Sequence, residues 1–339
     1  MKKILVIRFS SIGDIVLTSP VIRCLAAQLP GTEVHVLTRK ANEGLFKTNP
    51  SVKKTFVYDK KLSEVIDLLR NENYDHIVDL HKNIRSFRVR FALRKPAGSF
   101  PKLNIQKYLL VRFKMKIMPD IHIVDRYFEA VKPLGVVNDA KGLDYFYSSS
   151  NRLNAGNLIS GFQSGFYAVV IGGKHSTKIF PVGKVIEVCR LLDKPVVLLG
   201  GNEDVARGKM IADSLKTNVF DACGKLNLDE SAEVLKHASA VLTNDTGLMH
   251  IAAAMHKPIV SVWGNTVPGL GMYPYLPGEP QKSVIIENKE ISCRPCSKIG
   301  FDACPKGHFN CMMTLNSSEI ADKLMHIGNL FSLLPEDQR

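Results

Sequence analysis

Lys3-Ile4-Leu5-Val6-Ile7-Arg8-Phe9 runs without a break into Ser10-Ser11-Ile12-Gly13-Asp14, and the reading of this stretch sets the fold. Aliphatic and β-branched residues dominate the first run, as in a strand buried on both faces. The second is a short polar loop, after which the apolar spacing becomes helical from about Asp14 to Leu29 and stops at Pro30-Gly31. A buried strand that turns at once into a helix is the repeating piece of a parallel sheet covered on both faces.

The same grammar continues outward. Further strands are expected at Glu33–Thr38, Lys54–Tyr58 and Asp75–Leu80, with helical stretches between them. After a polar, glycine-bearing stretch from Ser148 to Gly165, read as a linker, the alternation restarts. Strands are expected at Tyr167–Ile171, Val196–Leu199, Ala240–Thr243 and Ile259–Val262. Helices should begin near Pro181, Glu203, Asp229 and Gly247, with a last amphipathic helix from about Ser318 to Leu330. With 339 residues, the chain is long enough for two cores. The expected fold is α/β: two doubly wound Rossmann-like domains, residues 1–155 and 156–339, facing across a cleft, with the final helix free to pack back toward the first. Ligands in such folds bind at the carboxyl ends of the strands.

Composition narrows the function classes. Apolar residues make up 45% and charged residues 23%, as in a folded soluble protein. No run approaches the roughly 18 apolar residues of a membrane span. The apolar run at the amino terminus meets Arg8 too early for a secretory signal, so a cytoplasmic location is expected. The formal net charge is +13, and between Lys82 and Lys116 there are eleven Lys or Arg and no Asp or Glu. Such a block fits nucleic acid, an anionic membrane surface or a phosphorylated substrate, and equally a solvated helical face.

The chemistry sits at strand ends. Ser11 and Asp14 have capping-box spacing; alternatively, Gly13 leaves Asp14 as an exposed carboxylate at the strand edge. In the second half a strand enters Asn244-Asp245-Thr246-Gly247-Leu248-Met249-His250, where a helix start offers unpaired N–H groups to a diphosphate. His250 is a further candidate contact, although a lone helical histidine more often packs in a core. Gly172-Gly173-Lys174-His175-Ser176-Thr177-Lys178 also suits phosphate. Glu203 or Asp204 could accept hydrogen bonds from ribose hydroxyls or stabilise a first helical turn. The first loop, Ser10–Asp14, has one glycine and no Gly-x-Gly-x-x-Gly fingerprint. Cys293-x-x-Cys296 has zinc-knuckle spacing but Cys304 and Cys311 do not, so free thiols without stoichiometric metal are expected, against a metal site or a disulfide.

In this order the segments resemble the lipopolysaccharide heptosyltransferases, inverting glycosyltransferases of the two-domain GT-B fold. The resemblance is carried by Arg8 through Val16 and by Asn244 through Ala254, and less strongly by Asp79-Leu80-His81-Lys82-Asn83-Ile84-Arg85-Ser86. It implies Asp14 as the catalytic base and Lys178 as the cation at the leaving group. Lys174, Glu203, Asp204, Asp245, Thr246, Gly247, Leu248 and His250 would line the donor side. Ser10, Ser11, Gly13, Lys82 and Arg85 would line the acceptor side. The aromatic after Lys178 is Phe180 where the family usually has Trp. The implied donor is ADP-heptose and the implied acceptor an anionic glycolipid, the lipopolysaccharide inner core, with peripheral contact to the inner leaflet. No cofactor, metal or nucleic acid is expected. A different nucleotide sugar is the near alternative. A basic nucleic-acid-binding protein is the distant one, since no RNA-recognition signature or row of aromatic platforms accompanies the basic block.

Overall fold

The computed structural model describes residues 2–148, 162 and 165–332. The strands are β1 (Lys3–Ile7), β2 (Glu33–Arg39), β3 (Lys54–Tyr58), β4 (His76–Asp79), β5 (Ala97–Ser99), β6 (Tyr167–Val170), β7 (Val196–Leu199), β8 (Val219–Asp221), β9 (Ala240–Asn244), β10 (Ile259–Trp263) and β11 (Ser283–Glu287). In the first half the helices are α1 (Ile12–Val16), α2 (Ser19–Gln28), α3 (Gly44–Lys47), α4 (Ser63–Asn71), α5 (Ile84–Leu93), α6 (Asn104–Phe113) and α7 (Ile123–Phe128). Then come α8 (Val182–Cys189), α9 (Val205–Leu215), α10 (Leu228–His237), α11 (Gly247–Ala254), α12 (Asn310–Met313) and α13 (Ser317–Ser332).

Two parallel-sheet α/β units result. One sheet has the order β3-β2-β1-β4-β5, the other β11-β10-β9-β6-β7-β8. In both, the order reverses beside the first strand, between β1 and β4 and between β6 and β9, and both of those pairs are parallel. The central strands are buried along almost their whole length, as helices on both faces require. Leu5, Ile7, Leu37, Ile77 and Val89 share the first core. Val169, Leu198, Leu242, Val260 and Leu324 share the second.

The boundaries refine the expected ones. The first unit comprises the residues up to Leu103 together with Ile121–Tyr147; Asn104–Asp120 belongs to the second unit with the described residues from Ser148 onward. Lys114 shows why: its ammonium donates to the carbonyls of Val111, Cys293 and Pro295 at 2.8, 3.0 and 2.7 Å. The basic block is therefore divided between the units. The expected linker lies almost wholly outside the described residues. The final helix packs into the second unit's own core, through Ile320, Ala321, Leu324 and Ile327.

The long first helix is broken in two. Pro20 lacks an N–H and crowds the carbonyl four residues back, so the helical ladder cannot pass through it. The Thr18 and Ser19 hydroxyls donate to the carbonyls of Ile15 and Val16, both at 2.7 Å, and close the break. Strands β5, β8 and β11 lie at sheet edges and were not expected from the sequence.

Gly98 in β5 is a close-approach glycine, since a Cβ there would lie 1.9 Å from the Ala130 carbonyl oxygen. Gly98→Ala should lower stability by about 1–3 kcal/mol through overpacking. Gly183→Ala, in α8 with open space around the added carbon, should instead raise it by about 0.5–1 kcal/mol. Urea unfolding midpoints check both, and an unchanged Gly98→Ala midpoint would contradict the packing described.

Candidate active site

Most of the residues singled out from sequence lie at the two places where strand order reverses, the crevice positions of such sheets, while Glu203 and Asp204 follow β7 and His250 lies in the core. In the first unit, the loop after β1 carries Asp14 on the first turn of α1. Its carboxylate accepts from the Ser11 N–H at 3.2 Å and the Ser11 hydroxyl at 2.6 Å, so the reciprocal half of the capping box is formed. It also lies 2.6 Å from the guanidinium of Arg8, a contact the spacing did not reveal.

Arg8 is only 6% exposed. It donates to the carbonyl oxygens of Ser10, at 2.9 Å, and Leu80, and to the Tyr127 hydroxyl at 3.0 Å. Burial opposes its charge, but Asp14, Tyr127 and Asp79 outweigh that and raise its pKa. Arg8 is thus a fixed cation that orients Asp14 and joins the ends of β1 and β4.

Asp79, buried at the end of β4, fixes the neighbouring loop. It accepts from the N–H groups of His81 and Lys82 at 3.1 and 2.7 Å, and from the Ser86 hydroxyl at 2.9 Å. The Asn83 side chain then caps α5 by accepting from the Ser86 N–H at 3.0 Å. The Lys82 ammonium donates to the Phe100 carbonyl at 2.7 Å, so it is tethered to its own unit. Arg85 is exposed and lies over the Phe9 ring at 5.7 Å. His81 packs against Phe9 with ring centroids 4.7 Å apart. Burial first, then Arg8, Lys102 and Arg85, push its pKa down to about 3, so the imidazole is neutral at physiological pH. Sequence reasoning gave neither Arg8 nor His81 a role, although both lie within the quoted motifs.

In the second unit the ends of β6 and β9 come together. Lys178 is 2.6 Å from the Asp245 carboxylate, joining the two segments that sequence alone proposed for phosphate. The Asn244 side chain donates to the Gly172 carbonyl at 3.0 Å, stitching the same two loops. Thr246 is the N-cap residue of α11 but makes no side-chain capping bond, and Gly247 and Leu248 open the helix. Lys174 is exposed on the loop after β6. His250 is buried on α11, which places it in the core and not on the open side.

The two acids after β7 separate clearly. Asp204 is 1% exposed, accepts from the Gly201 N–H at 2.8 Å and pairs with Arg207. It also fills the space beside Gly172, where a Cβ would lie 2.2 Å from its carboxylate oxygen. Glu203 is exposed. Asp204 is accordingly a capping and packing residue, and Glu203 the acid that faces solvent.

Three residues of the second unit also escaped sequence reasoning. Thr266 donates to Asp245 at 3.0 Å, extending the pair with Lys178. Arg294, buried, donates to the carbonyls of Gly264, Trp263 and Thr266, the last two at 3.1 and 3.0 Å, and shapes the loop that carries Thr266. Asn265 is 2% exposed, and neither its side-chain oxygen nor its nitrogen has a hydrogen-bond partner among the described residues. Nothing in a lone Asn-Thr dipeptide signals this.

The cysteine loop braces the same site. Thr177 and Phe301 exchange three hydrogen bonds, of 3.1, 3.0 and 2.8 Å. Cys293 Sγ lies 3.9 Å from His308 Nε2, and all seven cysteines are free. Among the described residues no three His, Cys, Asp or Glu side chains are arranged to hold a metal. Burial and then the neighbouring Cys293 push the Cys296 thiol up to about 12, and burial pushes Cys311 to about 11, so both stay protonated at neutral pH.

Comparison with known proteins gives a consistent result. The sequence model of glycosyltransferase family 9 (heptosyltransferase) matches residues 63–302. The chain is 25% identical to lipooligosaccharide heptosyltransferase 2 of Haemophilus influenzae over 334 residues, covering 88% of this chain and 92% of that protein. The fold matches the ADP-heptose lipopolysaccharide heptosyltransferase II of E. coli with a TM-score of 0.72 at 21% identity, over 98% of this chain and 100% of that one. It matches a family 9 glycosyltransferase from Veillonella parvula with a TM-score of 0.77 at 21% identity, over 97% of both chains.

Because no metal geometry is assembled among the described residues, dialysis against a chelator should leave the melting temperature unchanged and elemental analysis should find no stoichiometric metal. One zinc or iron per chain, with a lower melting temperature on its removal, would overturn this expectation.

Proposed function

The chain belongs to glycosyltransferase family 9, the heptosyltransferases, and on that premise we propose that it moves a heptose from ADP-heptose to the inner core of a lipopolysaccharide. The observation that carries the proposal is the pairing of Lys178 with Asp245 at the start of α11, where the helix N-terminus has no side-chain cap. A cation beside unpaired N–H groups suits a leaving diphosphate. The donor identity is supported by relatives described as heptosyltransferases and by the E. coli enzyme described as using ADP-heptose.

The mechanism is a single displacement with inversion. The acceptor hydroxyl oxygen attacks the anomeric carbon while Asp14 takes its proton. The bond from that carbon to the diphosphate oxygen breaks, and its electron pair stays on the leaving ADP. Lys178 and the N–H groups of Thr246, Gly247 and Leu248 meet the growing charge. Glu203 accepts from the ribose hydroxyls, and the orphaned amide of Asn265 finds its missing partners in the donor. Arg8 holds Asp14 in one orientation, and Ser10, Ser11, Gly13 and Arg85 form the acceptor side, with neutral His81 as an added polar contact.

No helix among the described residues is long and apolar enough to cross a membrane. The acceptor is lipid-borne, so we place the exposed arginines Arg85 and Arg88 of the basic block toward an anionic glycolipid or the leaflet that carries it.

Two substitutions test this reading. Lys178→Ala removes a charge-assisted bond worth about 1.5–3 kcal/mol, so ADP affinity should fall roughly ten- to a hundredfold by calorimetry, with turnover. Unchanged affinity and rate would reduce Lys178 to a structural partner of Asp245. Asp14→Asn keeps the size and hydrogen bonding but removes basicity, so kcat should fall by about 10²- to 10⁴-fold with ADP affinity intact. It also strips buried Arg8 of a counter-charge, and since Asp14 is partly exposed the stability loss should be about 1–2 kcal/mol. A folded variant with near-normal kcat would remove Asp14 from the chemistry. Thermal-shift screening of nucleotide sugars checks the donor, and stabilisation by another sugar nucleotide but not ADP-heptose would replace it.

A further inference from the structure

We propose that the outer face of α5 is a bilayer-docking ridge, with Ile84, Phe87 and Phe91 entering the boundary between headgroups and acyl chains of an anionic leaflet. This deepens the reading of the acceptor as lipid-borne, because it names the element that touches the membrane.

The helix is apolar on two sides. Ser86, Val89 and Leu93 are buried against the first unit. The opposite side holds Ile84, Phe87 and Phe91, which are 75%, 60% and 68% exposed. At 100° per residue these three fall within a single stripe about 60° wide, with Arg88 on its flank next to Ile84. The Phe87 and Phe91 rings stack with centroids 6.4 Å apart and planes 25° from parallel, forming one continuous apolar surface. One helix serving only its own core would bury one stripe and leave the other polar.

The flanking charge selects the occupant. Arg85 and Arg88 are exposed beside the stripe, and no acid occurs from Lys82 to Lys116. An apolar ridge with exposed arginines at its side fits a surface that is both apolar and anionic. A bilayer of anionic lipids has both, phosphates at the level of the guanidinium groups and acyl chains beneath.

The ridge is also rigidly joined to the chemistry. Asp79 and Asn83 fix the start of α5 at the end of β4, and β4 pairs with β1, whose loop carries Asp14. Seven residues of helix extend roughly 10 Å from Ile84 to Phe91. Seating this helix in a leaflet would fix the unit that carries the proposed base against the membrane.

The experiment uses the full chain and no nucleotide sugar, so its failure would leave the transferase reading untouched. The native Trp263 is buried and gives a constant background. An F87W variant is mixed with phosphatidylcholine vesicles, with vesicles containing half phosphatidylglycerol, and with single-stranded RNA. The F87W indole should shift to the blue with the anionic vesicles alone and be quenched by lipids brominated on their acyl chains. The Phe87→Ser/Phe91→Ser double variant should co-sediment with anionic vesicles about tenfold more weakly or less, at an unchanged melting temperature. No shift with anionic vesicles, a shift with RNA in their place, or undiminished sedimentation of the double variant would overturn the proposal.

Discussion

A parallel pair of strands cannot be closed by a hairpin, so each connection must travel back along a face of the sheet as a helix or loop. Every strand then delivers its carboxyl end to the same edge. Where the order reverses, beside β1 in one sheet and beside β6 in the other, adjacent helices leave toward opposite faces and the loop tips part. The groups with chemical potential in this chain are products of that constraint. Asp14 and His81 stand at one reversal; Lys178, Asp245 and Thr246 stand at the other.

Electrostatics then decides which of these groups can act. Arg8 and Lys178 each face a carboxylate at 2.6 Å, yet the two pairs differ in kind. Arg8 is buried and fastened by the carbonyls of Ser10 and Leu80, so it sets the position of a more accessible acid. Lys178 shares its partner with Thr266, and an arriving diphosphate could compete for it. Asp204 shows the opposite fate: an acid at a strand end, absorbed entirely by a backbone N–H and an arginine.

The alternation of strands and helices was legible because central strands are continuous apolar runs. Three edge strands were not, since β5 and β8 have three residues each and β11 is only half-buried. Their pairing comes from the neighbouring strand and leaves little mark on composition. Asp14, Lys178 and the Asp245–Leu248 turn were legible because each occupies a fixed distance from a strand end. The partnership of Arg8 with Asp14 was not, because a six-residue separation is short in sequence but is closed only through a loop. The choice between Glu203 and Asp204 depended on one turn of 3₁₀-helix, and Asn265 on burial alone. Pro20 could have predicted the break in the first helix.

The attachment of Asn104–Asp120 to the second unit has a consequence for the order of assembly. Lys114 meets the carbonyls of Cys293 and Pro295 across 179 and 181 residues of sequence. During synthesis from the amino terminus, this stretch emerges long before its partners exist. The first sheet can close without it, since the strands from β1 to β5 precede it, while the stretch itself waits for its partners. Neither half can therefore be completed by cutting the chain once, and the slowest native contacts to form should be those that bring this early segment to a late surface.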